Sequence, residues 1–280
     1  MPLQDSLLAR RPVWLRDALR LLARHRFATT RQLAGRLGVD ADEITAALTS
    51  LVGDGALREL RPSTFSARDG APAYALTSRG LALTDIDPAT TRSRATRTLR
   101  SAFSLAHELM LNELALVLER LDERGHLRLL SWQTAREKIG DVTHLAEKGH
   151  VVRVPLVADA LAVVEVHGEH TGVLVEIDMA TTSAKTMRRK YAGYHAWWSE
   201  GGPIRRYGLR ATRVLTVAPQ PQRLTRLRTL ALDVNGGRGS GLLWFLGHDA
   251  LDVAAPERLL DACAFVGKAG DDEAHPLFRP

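Results

Sequence analysis

The chain has 280 residues, 45% hydrophobic and 25% charged, which is enough for two domains with ordinary globular cores. No apolar run is long enough to span a bilayer, and the opening MPLQDSLLARRPVW has no signal-peptide pattern. The lone Cys263 excludes an internal disulfide and a cysteine zinc cluster, so a cytoplasmic protein with no membrane partner is expected. The net charge of +6 resides in residues 1–100, which hold 16 Arg, no Lys and 10 acids. The other 180 residues carry 22 basic and 22 acidic side chains. The N-terminal part is therefore where phosphate contacts are expected. Arg in place of Lys also fits a GC-rich coding sequence.

Residues 12–26 have the apolar spacing of an amphipathic helix. A second helix opens at Thr29 or Thr30 and stops at Gly38. A third follows over residues 40–54, with Ile44, Ala47, Leu48 and Leu51 inward. Helix, short Gly-bearing turn, helix is the helix-turn-helix pattern. Short strands at 56–60 and 73–77, joined by a loop rich in Pro, Ser, Arg and Gly, predict a β-wing. This run resembles winged-helix regulators. In such a fold the third helix enters the major groove of double-stranded DNA. Thr45, Thr49 and Ser50 on its outer side are then candidate readers, together with Asp42, Glu43 and Ala46. Arg31, Arg36, Arg58, Arg61 and Arg68 around it are candidate phosphate contacts. The third helix itself has no Arg or Lys, so a winged helix used for protein contact or homodimerisation is the competing expectation.

Residues 88–100 (PATTRSRATRTLR) read as an Arg-rich linker. The spacing predicts a long helix over 101–124, where Glu108 or Glu113 could approach a metal site, although surface or satisfied roles are commoner for such acids. A strand is expected at 127–132 and an irregular polar loop at 133–153. Two Val-rich runs, 160–166 and 173–178, flank the break HGEHTG and predict a hairpin. Alternation places Glu176 and Asp178 on one face, roughly 7 Å apart. Asp159 opens the preceding strand. A helix to about residue 198 follows the cap cluster Thr181-Thr182-Ser183. Met187, Tyr191, Tyr194 and Trp198 form its expected inner face, with Lys190 beside it. Three buried carboxylates converging imply a cation, a Lys or Arg, or raised pKa values, and Mg²⁺ held by oxygen ligands suits Asp159, Glu176 and Asp178.

A carboxylate opening one strand, a Glu on the next and then a helix resembles the PD-(D/E)xK nuclease core. More closely, Ala158-Asp159-Ala160, then LVEIDMATTS, then Lys190-Tyr191 and Tyr194 resemble the replication-relaxation family of actinobacterial plasmids and mobile elements. The resemblance covers roughly residues 12–250. It implies a winged helix followed by a nuclease-like core with catalytic Asp159, Glu176, Asp178 and Lys190. Ala158 stands where the motif has Pro, and Asp178 where it has Lys, so the resemblance assigns the amine to Lys190 on the following helix.

Further on, a strand is expected at 212–218, and a helix at 222–233 with Arg223, Arg226 and Arg228 on its exterior. A buried strand at 241–246, a last helix at 255–264 and an acidic tail complete the chain. The fold class is α/β, α+β overall: a winged helix-turn-helix domain over 1–87, a linker over 88–100, a nuclease-like domain with a mixed sheet over 101–268, and a tail over 269–280. Two functions follow from this reading. One is a DNA-binding replication or relaxation protein that is a Mg²⁺-dependent endonuclease or nickase. The other is a non-catalytic regulator or accessory factor with a degenerate core. His167-Gly-Glu-His170 and the Gly-rich run 236–241 fit a turn and a connector rather than a metal motif or phosphate loop.

Overall fold

The computed structural model describes residues 11–61, 71–86, 102–137, 139–147 and 149–278. The fold is α+β, with an N-terminal helical region preceding a mixed seven-stranded sheet. Contacts divide it into two units, Met1–Leu116 with Val253–Ala255 and Val117–Asp252 with Pro256–Pro280. The division falls inside the helix α5 described below. The expected linker at 88–100 lies outside the described residues, as does Arg68.

In the first unit, α1 (Trp14–His25) buries Leu15, Ala18, Leu19 and Leu22, a stripe at helical spacing. Thr29 closes the two-residue strand β1 (Ala28–Thr29) and caps α2 (Thr30–Leu37). Its hydroxyl accepts from the Gln32 N–H while the Gln32 side chain accepts from the Thr29 N–H, a reciprocal capping box. Gly38, at φ 67°, ends α2 and donates to the Ala34 carbonyl. Asp40 then caps α3 (Ala41–Gly53) by accepting from the Asp42 and Glu43 N–H groups. Ile44, Leu48 and Leu51 face inward from α3. Strands β2 (Leu57–Leu60) and β3 (Ala73–Leu76) pair antiparallel, and β3 also pairs with β1. The one-turn helix α4 (Ser78–Leu81) needs glycine at position 80, because a Cβ there would lie 2.0 Å from the Ala56 carbonyl oxygen.

The long helix α5 (Ala102–Glu123) sets Leu105 and Leu109 against Phe27, Ala73 and Ala75. Two buried amides fasten it. Gln32 Nε2 donates to the Leu109 carbonyl at 2.8 Å. Asn112 Nδ2 donates to the carbonyls of His25 and Phe27, both at 2.9 Å. Asn112→Ala would strand those two acceptors, and a loss of about 2 kcal/mol in urea unfolding is expected. A change within error would mean that water replaces the amide.

The second unit is built on the sheet order β12-β11-β10-β9-β8-β7-β4. Its strands are β4 (Arg128–Thr134), β7 (Ala160–Val166), β8 (Glu169–Ile177), β9 (Ala211–Ala218), β10 (Gly239–Gly247), β11 (Ala262–Lys268) and β12 (Ala274–Pro276). β8, β9 and β10 run parallel, and all other neighbours are antiparallel. The parallel strands require crossover helices. These are α6 (Ala184–Ser199) and the short α7 (Gly202–Tyr207) between β8 and β9, and α8 (Pro221–Leu232) between β9 and β10. Leu174, Val214, Leu243 and Phe245 of the sheet pack with Tyr191 and Trp197 of α6 and Leu227 of α8.

Several expectations are corrected here. Residues 133–153 are not an irregular loop: β5 (Asp141–Glu147) and β6 (His150–Leu156) form a two-stranded antiparallel ribbon against α6. Its exposed positions include His144, His150 and Arg153 as well as Val151, so polar and apolar residues mix and hide the alternation. Gly193 of α6 lets it approach, since a Cβ there would sit 3.0 Å from the Leu156 side chain. The last helix expected at 255–264 is a 3₁₀ turn, Pro256–Leu259, followed by β11. Within the expected tail, over its described residues to 278, β12 pairs with β11, and Leu277 and Phe278 are buried. Trp198 is 44% exposed, and the neighbouring Trp197, at 1%, fills the inner face of α6. Starting from Met187 and Tyr191, helical periodicity accommodates either tryptophan, and tertiary packing selects the first.

Candidate functional site

The site grows from the β7–β8 hairpin and the two helices over it. Register pairs Ala160 with Val175, which brings Asp159, just before β7, beside the end of β8. The Asp159 N–H donates to the Val175 carbonyl at 2.8 Å, and Asp159 Oδ2 accepts from the Ile177 N–H at 2.8 Å. Asp159 is thus held across the hairpin by backbone bonds on both sides of Glu176.

Ser183 caps α6 by accepting from the Thr186 N–H, and this sets the helix phase. Lys190, one side of the apolar stripe away, reaches down to the sheet. Its Nζ donates to Glu176 Oε2 at 2.5 Å and to the Val157 carbonyl at 3.2 Å. The Tyr194 hydroxyl donates to the other oxygen of Glu176, Oε1. The Glu176 side chain is 6% exposed and that of Lys190 is 26% exposed. Burial pushes the Glu176 carboxyl up to about 7. Lys190 and Tyr194 oppose that rise, while the nearby Asp159 charge adds to it. Burial is the largest of these influences and outweighs the pairing with Lys190. Burial beside Glu176 also drives the Tyr194 phenol well above its ordinary range, so it stays a donor.

Asp178 takes a different partner. Arg223, in the first turn of α8, grips it with Nε on Oδ1 and Nη2 on Oδ2, each at 2.8 Å. Arg223 Nη2 also donates to the Thr182 carbonyl at 2.8 Å. Asp178 Oδ1 accepts in addition from the Ala180 N–H at 2.7 Å, which supports the positive φ of 60° at Ala180. Arg223 was expected on the exterior of its helix; its side chain is 14% exposed and that of Asp178 only 2%. The structure therefore brings Asp159, Glu176 and Lys190 together and assigns Asp178 to Arg223. Neither Arg223 nor the Tyr194 bond was foreseen. The signal for Arg223 was available: a carboxylate predicted to be buried, Asp178, needs its own cation.

Among the described residues no group of three or more His, Cys, Asp or Glu side chains could hold a metal ion. The expected three-carboxylate set is thus reduced to Asp159 and Glu176. Two carboxylates, with waters and a substrate phosphate, still meet the ordinary needs of Mg²⁺. The excess negative charge against the single ammonium of Lys190 fits a hard cation there.

In the first unit, Thr49 and Ser50 are exposed on α3, as are Asp42 and Glu43. Thr45 is half-buried, and its hydroxyl donates to the Ala41 carbonyl at 2.8 Å. Ser50 Oγ accepts from Arg11 Nη2, which also pairs with Asp54 at 2.6 Å. Arg58 and Arg61 are exposed on and after β2, and Arg61 pairs with Glu59 at 2.9 Å. Arg36 is half-buried, and Arg31 pairs with the buried Glu113 at 3.8 Å. Glu113, once a candidate for the metal site, thus has a partner in its own unit.

No helix among the described residues is long and apolar enough to cross a membrane. Among curated proteins nothing matches the chain. The sequence profile described as replication-relaxation matches residues 19–212, well over half of the length. The match spans Asp159, Glu176, Asp178 and Lys190 and ends before Arg223. The chain belongs to the replication-relaxation family.

Proposed function

We propose that the protein binds double-stranded DNA in plasmid or mobile-element replication or relaxation. In this reading the first unit is a winged helix, and the nuclease-like core of the second unit cuts a phosphodiester bond with the aid of Mg²⁺. The observation that carries the catalytic part is the contact of Lys190 with Glu176 at 2.5 Å, with Asp159 beside them. Asp159 and Glu176 would hold the cation, which when bound supplies a water of lowered pKa and a polarised phosphate. Tyr194 fixes the orientation of Glu176, and the backbone N–H of Ile177 fixes Asp159. Lys190, a quarter exposed to solvent and anchored on the Val157 carbonyl, can orient the attacking water or stabilise charge developing on the phosphate.

The DNA-binding part rests on the basic surplus of residues 1–100, on the exposed Arg58 and Arg61 and on the polar outer face of α3. A second reading, a non-catalytic regulator or replication accessory factor, is favoured by one observation. Both oxygens of Glu176 already have protein donors.

One experiment separates them. Supercoiled plasmid is incubated with the protein and Mg²⁺, and duplex affinity is measured across a salt series. The catalytic reading expects nicking that Asp159→Ala and Glu176→Ala abolish while binding persists. Specific binding with no cleavage of any substrate supports the accessory role. Arg58→Ala and Arg61→Ala should each lower the salt slope of binding by about 1. An affinity indifferent to salt removes DNA binding itself.

A further inference from the structure

We propose that Arg223 is a resident counter-cation of this core. It holds the place a second divalent ion would need, so the core takes at most one such ion, between Asp159 and Glu176. The proposal rests on the metal reading of those two carboxylates and extends it to their neighbour Asp178.

Alternation along β8 puts Glu176 and Asp178 on the same side, with α6 and α8 packed over the sheet. A third carboxylate on that face would, without a partner of its own, add to the negative charge that draws cations. Here that carboxylate already accepts three hydrogen bonds, two of them from one guanidinium. Asp178 Oδ1 receives Arg223 Nε and the Ala180 N–H, and Oδ2 receives Arg223 Nη2. The planar guanidinium is fixed at a third point by the Thr182 carbonyl. An ammonium could not match this fork of parallel bonds, so Lys would be a poor replacement.

Charge counting agrees. With all three carboxylates ionised, as a bound cation would require, Asp159, Glu176 and Asp178 face Lys190 and Arg223, three negative groups against two positive. One divalent ion turns the cluster net positive by a single charge, which suits one phosphodiester. A second would sit beside a guanidinium that cannot lose its proton. Arg223 also ties β8, the turn after it and α8 together without touching Asp159 or Glu176.

The test is Mn²⁺ titration of the full-length, metal-free protein, read by the electron paramagnetic resonance of free Mn²⁺. One ion per chain is expected. Asp178→Asn should keep that ion with its affinity within about threefold, whereas Asp159→Asn and Glu176→Gln should each weaken it at least about tenfold. The double variant Asp178→Asn/Arg223→Met removes both charges at once, and it should also keep one ion should the single variant fold poorly. Two ions in the parent protein, or a tenfold loss in both Asp178 variants, overturns the role of Arg223 and leaves the metal reading standing. No Mn²⁺ uptake by the parent protein overturns both together.

Discussion

Arg223→Met should destabilise the second unit by about 3 kcal/mol at neutral pH, the usual cost of leaving a buried charge without its partner. Asp178 loses both guanidinium bonds and keeps only the Ala180 N–H. With its side chain 2% exposed, it has no route to water. Methionine preserves much of the packing of the Arg223 stem on α8, so the deficit reports charge rather than volume. Asp178→Asn in the same chain should recover most of it, because the amide is neutral and can still accept from Ala180. Urea unfolding followed by circular dichroism measures both. A loss below about 1 kcal/mol would place the pair with ordinary surface salt bridges.

The hairpin, the following helix and the Asp159–Glu176–Lys190 grouping were legible because each rests on local rules. Val-rich alternation gave β7 and β8, and one Ser cap and a helical stripe gave α6. What was lost lay in long-range pairing. Arg223 is 45 residues from Asp178 and looks like any helix arginine until α8 is docked on the sheet. The β5–β6 ribbon mixes polar and apolar residues at its exposed positions, and its inner face is defined only by α6. β11 and β12 were missed for a related reason. β12 is a three-residue edge strand with little pattern of its own, and the run Ala262–Lys268 supports a helix about as well as a strand until β10 is beside it. The choice between Trp197 and Trp198 turned on one position of helix phase, which Gly202 settles by packing against the Trp197 indole.

In metal-free buffer with a chelator, the second unit should lose stability as pH rises from about 4.5 to about 7, and Glu176→Gln should abolish most of that slope. The Glu176 carboxyl, ordinarily near 4.5, is raised to about 7 in the folded chain, first by burial and then by the Asp159 charge. Between those values the folded state binds a proton that the unfolded state has released, so unfolding becomes easier as pH climbs. Below the window both states are protonated and the full stability is present; above it both are ionised and the loss is complete. The interval corresponds to about 3 kcal/mol. Paired carboxylates such as Glu257 are lowered instead, by Arg124, and gain stability with rising pH at more acidic values. The difference between parent and Gln variant therefore isolates Glu176. Glutamine keeps the acceptor for Tyr194, and Lys190, with a quarter of its side chain exposed, can turn its ammonium to water. Parallel profiles for the two proteins would mean that Lys190 and Tyr194 hold Glu176 ionised throughout. The site would then be balanced without any added cation, and the accessory reading would gain over the catalytic one.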